Sequence, residues 1–352
     1  MPVERAFRLS VILALFAMVS FGQRVDLDRM YAKIYYRSLP LKPLSSEYST
    51  FEVKCLTPEF NDKYYSEEEI ISKINLAGFK KVDSEADIQI VFLSDNINVS
   101  KSEVVTRVEE AKDKTGKVTG RTTYYKNKVT YSIAASAEIR DLKTNNVLYS
   151  FRLDNYDNKY EHFSKETTNN KEAVNYFTVN KEIIYRNLIE EKYSGYFSYI
   201  NNYINKNYGY PVAIDNVLFW ILGSKKHPEF AAYENVSAQI EQLFKSVNAH
   251  EPLTNALEAF KPIEEHLQSI ISKYTSTDKG DKKMRYSAYF NLGEIYFYME
   301  MLDKAYEMGA KIIENDYDGK DGKKLQERVD ELKDLYEKNQ TNTRHFPRNF
   351  EE

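Results

Sequence analysis

Acyl transfer is the first chemistry to consider, because three short fragments are of the types that build a serine acyl-transfer site. They are residues 94–96 (Ser-Asp-Asn), residues 114–116 (Lys-Thr-Gly) and residues 276–279 (Ser-Thr-Asp-Lys). In such a site the Ser-x-x-Lys fragment comes first in the chain and opens a helix. Here that fragment comes last, in a polar stretch, and Lys-Thr-Gly falls in a predicted hairpin turn. The order of the fragments therefore argues against acyl transfer.

Metal binding is the second chemistry, since residues 316–322 (Asp-Tyr-Asp-Gly-Lys-Asp-Gly) resemble a calcium loop with Glu327 at its twelfth position. However, Lys320 occupies a ligand position, and Asp321 stands where the sharp turn of such a loop requires glycine. We predict an ordinary turn between helices. The histidines show no metal-ligand spacing; they are His162, His227, His250, His266 and His345.

The chain also lacks a Walker A motif, a G-x-S-x-G motif and a dinucleotide-binding fingerprint. Its formal net charge is −4, which provides no basic footprint for nucleic acid. The single cysteine, Cys55, lies in an alternating run at residues 51–56 and is expected to be a buried strand residue. We therefore predict a protein without cofactor, metal or nucleic acid that is not an enzyme. An enzyme whose site has no recognisable motif is the alternative.

The amino terminus predicts export. Arg5 and Arg8 precede an apolar segment at residues 9–21, and small residues at positions 20 and 22 favour cleavage before Gln23. The apolar segment is shorter than the ~20 residues that a spanning helix needs. We expect residues 1–22 to be a signal peptide and the mature protein to be periplasmic or secreted, with no stable membrane span.

The elements that would position a site change in type along the chain. The first half alternates in the manner of strands, at residues 27–37, 49–56 and 87–93, with a capping box at Ser66 and Glu69 before a short helix. A long hairpin is predicted at residues 97–109 and 121–140, a second hairpin turns at 143–146, and 155–168 is predicted to be loop. After a helical stretch at 170–206, the predicted helices are residues 229–247, 251–274, 283–299, 302–315 and 320–338.

These elements predict an α+β fold, in which a mixed α/β domain with a mostly antiparallel sheet precedes an all-α domain. We place the α/β domain at residues 23–206, a connector at 207–228, the helical domain at 229–340 and a polar tail at 341–352.

One pair of helices resembles the tetratricopeptide repeat. Tyr289, Leu292, Gly293, Tyr296 and Ala305 match the spacing W-x₂-L-G-x₂-Y followed by alanine, within residues 286–319. The small residues allow the two helices to approach closely, and the large residues fill the space between them. The resemblance implies a helical array that binds a protein or peptide, and these five residues are candidates for repeat packing or partner binding. Later in the repeat, Gly309 and Ile312 depart from the pattern.

The first half is similar to the α/β envelope domain found in the amino-terminal part of TolB and in CsgG. The similarity lies in the Ala86-Asp87 strand and in the hairpin at residues 141–147, where Asn145 stands at the usual glycine. It implies a role in envelope assembly or regulation. This chain lacks the lipid-bearing cysteine of many relatives, and residues 97–109 have no continuous apolar face, so we do not expect a pore.

A tyrosine stripe at helical spacing offers an alternative function. Tyr193, Tyr196, Tyr199 and Tyr203 would form either a core-facing stripe or an exposed surface for glycan or peptidoglycan. The sequence thus predicts an envelope protein that acts by binding protein partners, and exposed tyrosines would instead favour a glycan-binding module. It leaves the oligomeric state open.

Overall fold

The computed structural model describes residues 25–348, and the fold is α+β, as the sequence predicts. Within this range the chain forms nine helices and ten strands in three sheets. The predicted signal peptide lies outside the described residues, as do the last four residues of the polar tail. No helix between residues 25 and 348 is long and apolar enough to cross a membrane.

The elements are named in chain order. They are β1 (Leu27–Arg37), β2 (Thr50–Leu56), α1 (Glu59–Asp62), α2 (Glu67–Lys73), β3 (Lys80–Lys81), β4 (Ile88–Ser94), β5 (Asn98–Lys112), β6 (Val118–Ser132), β7 (Ala135–Asp141), β8 (Asn146–Asp154), β9 (Tyr160–Phe163), α3 (Asn170–Val179), α4 (Lys181–Asn207), β10 (Val212–Leu222), α5 (Phe230–Ser246), α6 (Thr254–Lys273), α7 (Lys279–Tyr298), α8 (Leu302–Glu314) and α9 (Gly319–Asn339).

The chain divides into two compact units whose boundaries differ from the predicted domains. The α/β unit spans residues 44–209, and the helical unit combines residues 25–43 with 210–348. The difference arises because β1 pairs antiparallel with β10, the segment expected to be a connector. Both strands carry apolar residues on the face that packs against α5, with Ala32 and Phe219 buried there. These strands are far apart in the chain, so no local sequence pattern predicts that they pair.

The α/β unit contains a five-stranded sheet in the order β3-β2-β4-β7-β8. Strand β4 is parallel to β2 and antiparallel to β7, so it lies at the centre of the sheet, where its residues are buried on both faces. Helix α4 covers one face, where Phe92 contacts the rings of Tyr193 and Phe197 at centroid distances of 5.2 and 5.3 Å. The predicted capping box at Ser66 and Glu69 forms.

Two local predictions in this unit need correction. The second strand of the long hairpin, predicted at residues 121–140, is interrupted at residues 133–134, so that β6 and β7 belong to different sheets. The stretch at 155–168, predicted to be loop, contains β9, which pairs with β6. The turn at Asn145 is confirmed: its φ of 56° is the left-handed conformation that asparagine tolerates better than most residues.

Strands β5 and β6 extend beyond the rest of their sheet as a two-stranded ribbon. Every residue from 106 to 122 is exposed, and we call this segment the arm. Ion pairs such as Glu110 with Arg121, at 2.9 Å, join its two strands. The arm is anchored at its base, where Arg107 pairs with Glu166 at 3.0 Å. Since a lone two-stranded ribbon is only marginally stable in water, this anchoring matters for its order.

In the helical unit, all five predicted helices are present, with ends within four residues of the predicted ones. Helix α5 packs on the inner face of β1 and β10, and α6 to α9 follow as antiparallel neighbours in one apolar core. Helices α8 and α9 approach through two glycines. A Cβ built on Gly322 would lie 2.3 Å from the carbonyl oxygen of Gly309, so the two backbones are in contact.

Candidate functional site

The repeat-like residues of the helical unit pack helices together and do not form an open groove. Leu292, Tyr296 and Ala305 are buried, and Tyr289 is partly buried against the same core. A Cβ on Gly293 would lie 2.5 Å from Cδ2 of Leu325, so a side chain at this position would require the Leu325 side chain of α9 to move. The hydroxyl of Tyr296 donates to Glu264 at 2.5 Å, which ties α7 to α6.

The same unit presents an exposed apolar stripe on the outer face of its two-stranded sheet. Tyr35 lies opposite Ile214, and four residues along β1, Tyr31 lies opposite Leu218, with Lys33 and Asn216 between these two pairs. Tyr31, Tyr35 and Ile214 are 50%, 39% and 57% exposed. Trp220 closes one end of the stripe, where it contacts the rings of Tyr286 and Phe290 on α7. We call this stripe the outer face.

Two cations and no carboxylate belong to the outer face. Arg29 and Lys33 alternate with the tyrosines along β1, and the guanidinium of Arg29 lies 5.7 Å from the ring centroid of Trp220. Across residues 25–348, neither cation has a carboxylate within ion-pair distance, although the exposed side chains elsewhere pair frequently. The outer face therefore combines aromatic and aliphatic side chains with positive charge, since Lys33 lies between the two tyrosines and Arg29 lies beside Trp220.

The tyrosine stripe of α4 does not form an exposed four-ring surface. Tyr193 is completely buried and Tyr196 is 7% exposed, because both lie under the five-stranded sheet beside Phe92. Tyr203 stacks on Tyr149 at 4.3 Å and is half-buried. Tyr199 alone is well exposed, at 52%. The sequence left two arrangements open; in the structure three of the tyrosines face the core or are half-buried, and Tyr199 alone is exposed, with its ring edge against Phe151 of β8.

Tyr199 borders a cavity of about 440 Å³ in the α/β unit, which we call the cleft. One wall comes from the end of β8 and from β9, and the other wall comes from the middle of α4. Its lining includes Arg152, Asp154, Tyr160, Glu191, Gly195 and Tyr199. The sequence singled out Tyr199 and the neighbouring Tyr196, which also lines the cleft, whereas the other residues come together only when β8 and α4 pack.

A buried carboxylate organises the walls of the cleft. Asp154 accepts hydrogen bonds from the Tyr196 hydroxyl at 2.6 Å, the Tyr160 hydroxyl at 2.9 Å and the Asn158 amide at 2.7 Å, and it pairs with Lys192 at 2.9 Å. Burial by itself would raise the pKa of Asp154, but these donors outweigh it and lower the pKa to about 2. The carboxylate is therefore ionised at neutral pH and has its acceptor positions filled. It is a structural hub and not a candidate general acid.

The remaining candidates from the sequence, for metal binding and for acyl transfer, have structural roles. Asp316 pairs with Lys282 at 3.0 Å, and the Asp318 side chain caps α9, so the calcium-like segment is a turn between helices. Across residues 25–348, no group of three or more histidine, cysteine or acidic residues could hold a metal ion. Ser94 shares a 2.5 Å hydrogen bond with Tyr193 inside the core, whereas residues 114–116 lie at the tip of the arm.

Cys55 lies in β2, as predicted, and is half-buried. Burial, together with the nearby carboxylates of Glu67 and Asp62, raises the pKa of its thiol to about 12. The thiolate that a nucleophile or a metal ligand requires is therefore scarce at neutral pH.

Comparison with known proteins identifies no family. No family model matches the chain. No curated protein matches it. Among solved structures, it is similar to a crystal structure from Helicobacter pylori named as a neuraminyllactose-binding hemagglutinin homolog, at 10% sequence identity, covering 57% of this chain and 95% of that one, with a TM-score of 0.24. A TM-score this low does not establish a common fold.

Proposed function

We propose that this chain is a non-enzymatic exported binding protein and that it engages a protein partner through the outer face of β1 and β10. The observation that carries this proposal is the exposed stripe formed by Tyr31, Tyr35 and Ile214. The stability of the fold does not require apolar side chains at these positions, since the opposite face of the same two strands already supplies the core. The two apolar pairs lie on either side of Lys33 and Asn216, and exposed apolar side chains grouped on one face of a sheet mark interaction sites.

The composition of the outer face supports a protein partner more than any other ligand. Tyrosine, tryptophan and arginine are the residue types that dominate the energetics of protein interfaces. The face is the surface of a sheet and not a concavity, so it does not enclose a small molecule. With Arg29 and Lys33 as its charged members, it fits a partner on which carboxylates alternate with apolar side chains.

Export and a role in the cell envelope belong to the same proposal. They are supported by the leader at residues 1–22 and by the similarity of the first half to the TolB and CsgG domain. That the protein is not an enzyme is part of the proposal because its sequence contains none of the Walker A, G-x-S-x-G and dinucleotide-binding motifs.

Site-specific photo-crosslinking in the source cell tests the docking surface. A photoreactive phenylalanine analogue replaces Tyr31 in one strain and Val147 in another, because Val147 is equally exposed, at 55%, on a different sheet. We expect one protein to be crosslinked from position 31 and not from position 147. Equal crosslinking from both positions, or none from position 31, would contradict the proposal.

The partner is then purified, and its affinity is measured for the wild type and three variants. The double variant Tyr31→Thr, Ile214→Thr keeps residues that favour strands but removes the apolar surface, and we expect its Kd to rise at least tenfold. Val147→Thr is the matched control and should bind like the wild type. Lys33→Glu should slow association with an acidic partner, and the difference should shrink at high salt. Unchanged affinity of the folded double variant would refute the outer face as the docking surface.

A further inference from the structure

Gly195 is a glycine that the fold does not require. It lies in the middle of α4, a 27-residue helix, where glycine is one of the least favourable residues. The close-packed glycines of the helical unit are needed because a Cβ would collide with a neighbour, but a Cβ on Gly195 would meet no atom within 4 Å. Alanine would therefore fit and would suit the helix better.

Because Gly195 has no side chain, part of the backbone of α4 is left uncovered. The residue lines the cleft, with Glu191 one turn before it and Tyr199 one turn after it on the same face of α4. The bare backbone between these two side chains forms a flat floor. A glycine in an element interior often marks the close approach of a ligand to the backbone.

The walls around this floor are held rigid without a ligand. Tyr160 is fixed by its hydrogen bond to Asp154 and by Lys192, whose Nζ lies 3.1 Å from the centroid of its ring. The exposed ring of Tyr199 is held edge-on against Phe151 at a centroid distance of 5.4 Å. A site with preset walls loses little conformational entropy when a ligand binds.

The chemistry of the lining favours a neutral, hydroxyl-rich ligand. Asp154 has its acceptor positions filled, so the charged groups left at the rim are one cation, Arg152, and one anion, Glu191, which also supply hydrogen-bond donors and acceptors. The ring of Tyr199 beside the bare backbone offers an apolar surface for the flat face of a ring. The volume of about 440 Å³ is within the range of small-molecule sites.

A second cavity, of about 370 Å³, adjoins the cleft, since Arg152 and Asp154 line both. It lies over the ends of β4 and β7 and includes Ser136 and Tyr156. A second cavity next to the first fits a ligand of two or more sugar units, with one unit in each cavity.

We propose that the cleft binds a saccharide, with one pyranose ring seated on Gly195 and Tyr199 and its hydroxyls between Arg152 and Glu191. This site is in the α/β unit and is independent of the protein-docking surface proposed for the helical unit. Gly195 is then a specificity-determining position, since its missing side chain makes room for the ring.

The test is a titration of the ¹⁵N-labelled mature protein with methyl β-D-glucopyranoside, methyl β-D-galactopyranoside, N-acetylglucosamine and their disaccharides, followed by amide chemical shifts. We expect at least one of them to shift amides in residues 152–160 and 191–199, with a disaccharide binding more tightly than its monosaccharide. If no sugar of this panel shifts these amides, or if shifts are confined to other segments, the proposal is overturned.

Four variants separate recognition from folding. Gly195→Ala should weaken binding at least tenfold while raising the midpoint of thermal unfolding, a combination that a purely structural glycine would not produce. Ser194→Ala, at an adjacent exposed position outside the cleft lining, is the matched control and should bind like the wild type. Tyr199→Phe should retain binding and Tyr199→Ala should lose it. Wild-type affinity in Gly195→Ala would refute the proposed seat of the ring.

Discussion

The contact between α8 and α9 allows a sharp test of the structure, through the substitution Gly322→Ala. The added Cβ would lie 2.3 Å from the carbonyl oxygen of Gly309, 2.9 Å from Cγ1 of Ile313 and 3.1 Å from Cβ of Ile312. The nearest of these atoms is backbone, so no side-chain rotation can relieve the contact. The two helices must separate by about 1 Å to restore an ordinary van der Waals distance.

The magnitude follows from comparison with a second glycine at the start of the same helix. Gly319→Ala would place its Cβ 3.7 Å from Cα of Ile313, which is an ordinary contact. Overpacking a well-filled interface costs about 1–3 kcal/mol. The gain in helix propensity from glycine to alanine, at most about 1 kcal/mol, applies to both variants and largely cancels. We therefore expect Gly322→Ala to be less stable than Gly319→Ala by about 2 kcal/mol.

Urea unfolding followed by tryptophan fluorescence measures this difference. Trp220 is the only tryptophan of the chain and belongs to the helical unit, where it is partly buried, so its emission reports on the unit that carries the substitution. The unfolding midpoint of Gly322→Ala should fall, with little change in the slope of the transition. If the two variants unfold at the same urea concentration, α8 and α9 do not cross with their backbones in contact.

Three further predictions concern the α/β unit. The pKa of Asp154 is about 2 in the folded state and near 3.9 in an unfolded chain, so its ionised form should contribute about 2 kcal/mol to the free energy of unfolding above pH 4. This contribution should be lost as the pH falls towards 2. Asp154→Asn should flatten this part of a curve of stability against pH, and an unchanged curve would contradict the low pKa. At neutral pH, iodoacetamide should alkylate the Cys55 thiol at least about a hundred times more slowly in the folded protein than in urea, because the folded state raises the pKa of the thiol to about 12. Equal alkylation rates would refute this expectation. Replacing residues 108–123 by Asn-Gly should leave the circular dichroism melting midpoint unchanged. The backbone of Tyr125 bonds to Thr167, on the side away from β5, so the neighbouring residues 107 and 124 form a hydrogen-bonded pair that a two-residue turn can close. A lower midpoint would show that the arm supports the fold.

Much of the local structure could be predicted because its causes are local. The helices of the second half follow from apolar periodicity and the turns between them, and the short helix α2 follows from the reciprocal bonds of Ser66 and Glu69. The hairpin between β7 and β8 was predictable from its turn, because Asn145 tolerates a positive φ. The break between β6 and β7 was not, because the alternation of apolar residues continues across residues 133–134 while the pairing partner changes from β9 to β4.

The sequence by itself determined the α+β class, the positions of most elements and the absence of the common catalytic motifs, because these depend on residue types at short spacing. Tertiary structure alone decided that β1 joins the helical unit, that three of the four tyrosines of α4 are buried or half-buried, and that Asp154 collects four donor side chains. It also distinguished Gly195, which faces open space, from Gly322, which touches another backbone. The physical reason is that burial and hydrogen bonding depend on neighbours distant in the chain, and a single sequence does not record which distant segments become neighbours.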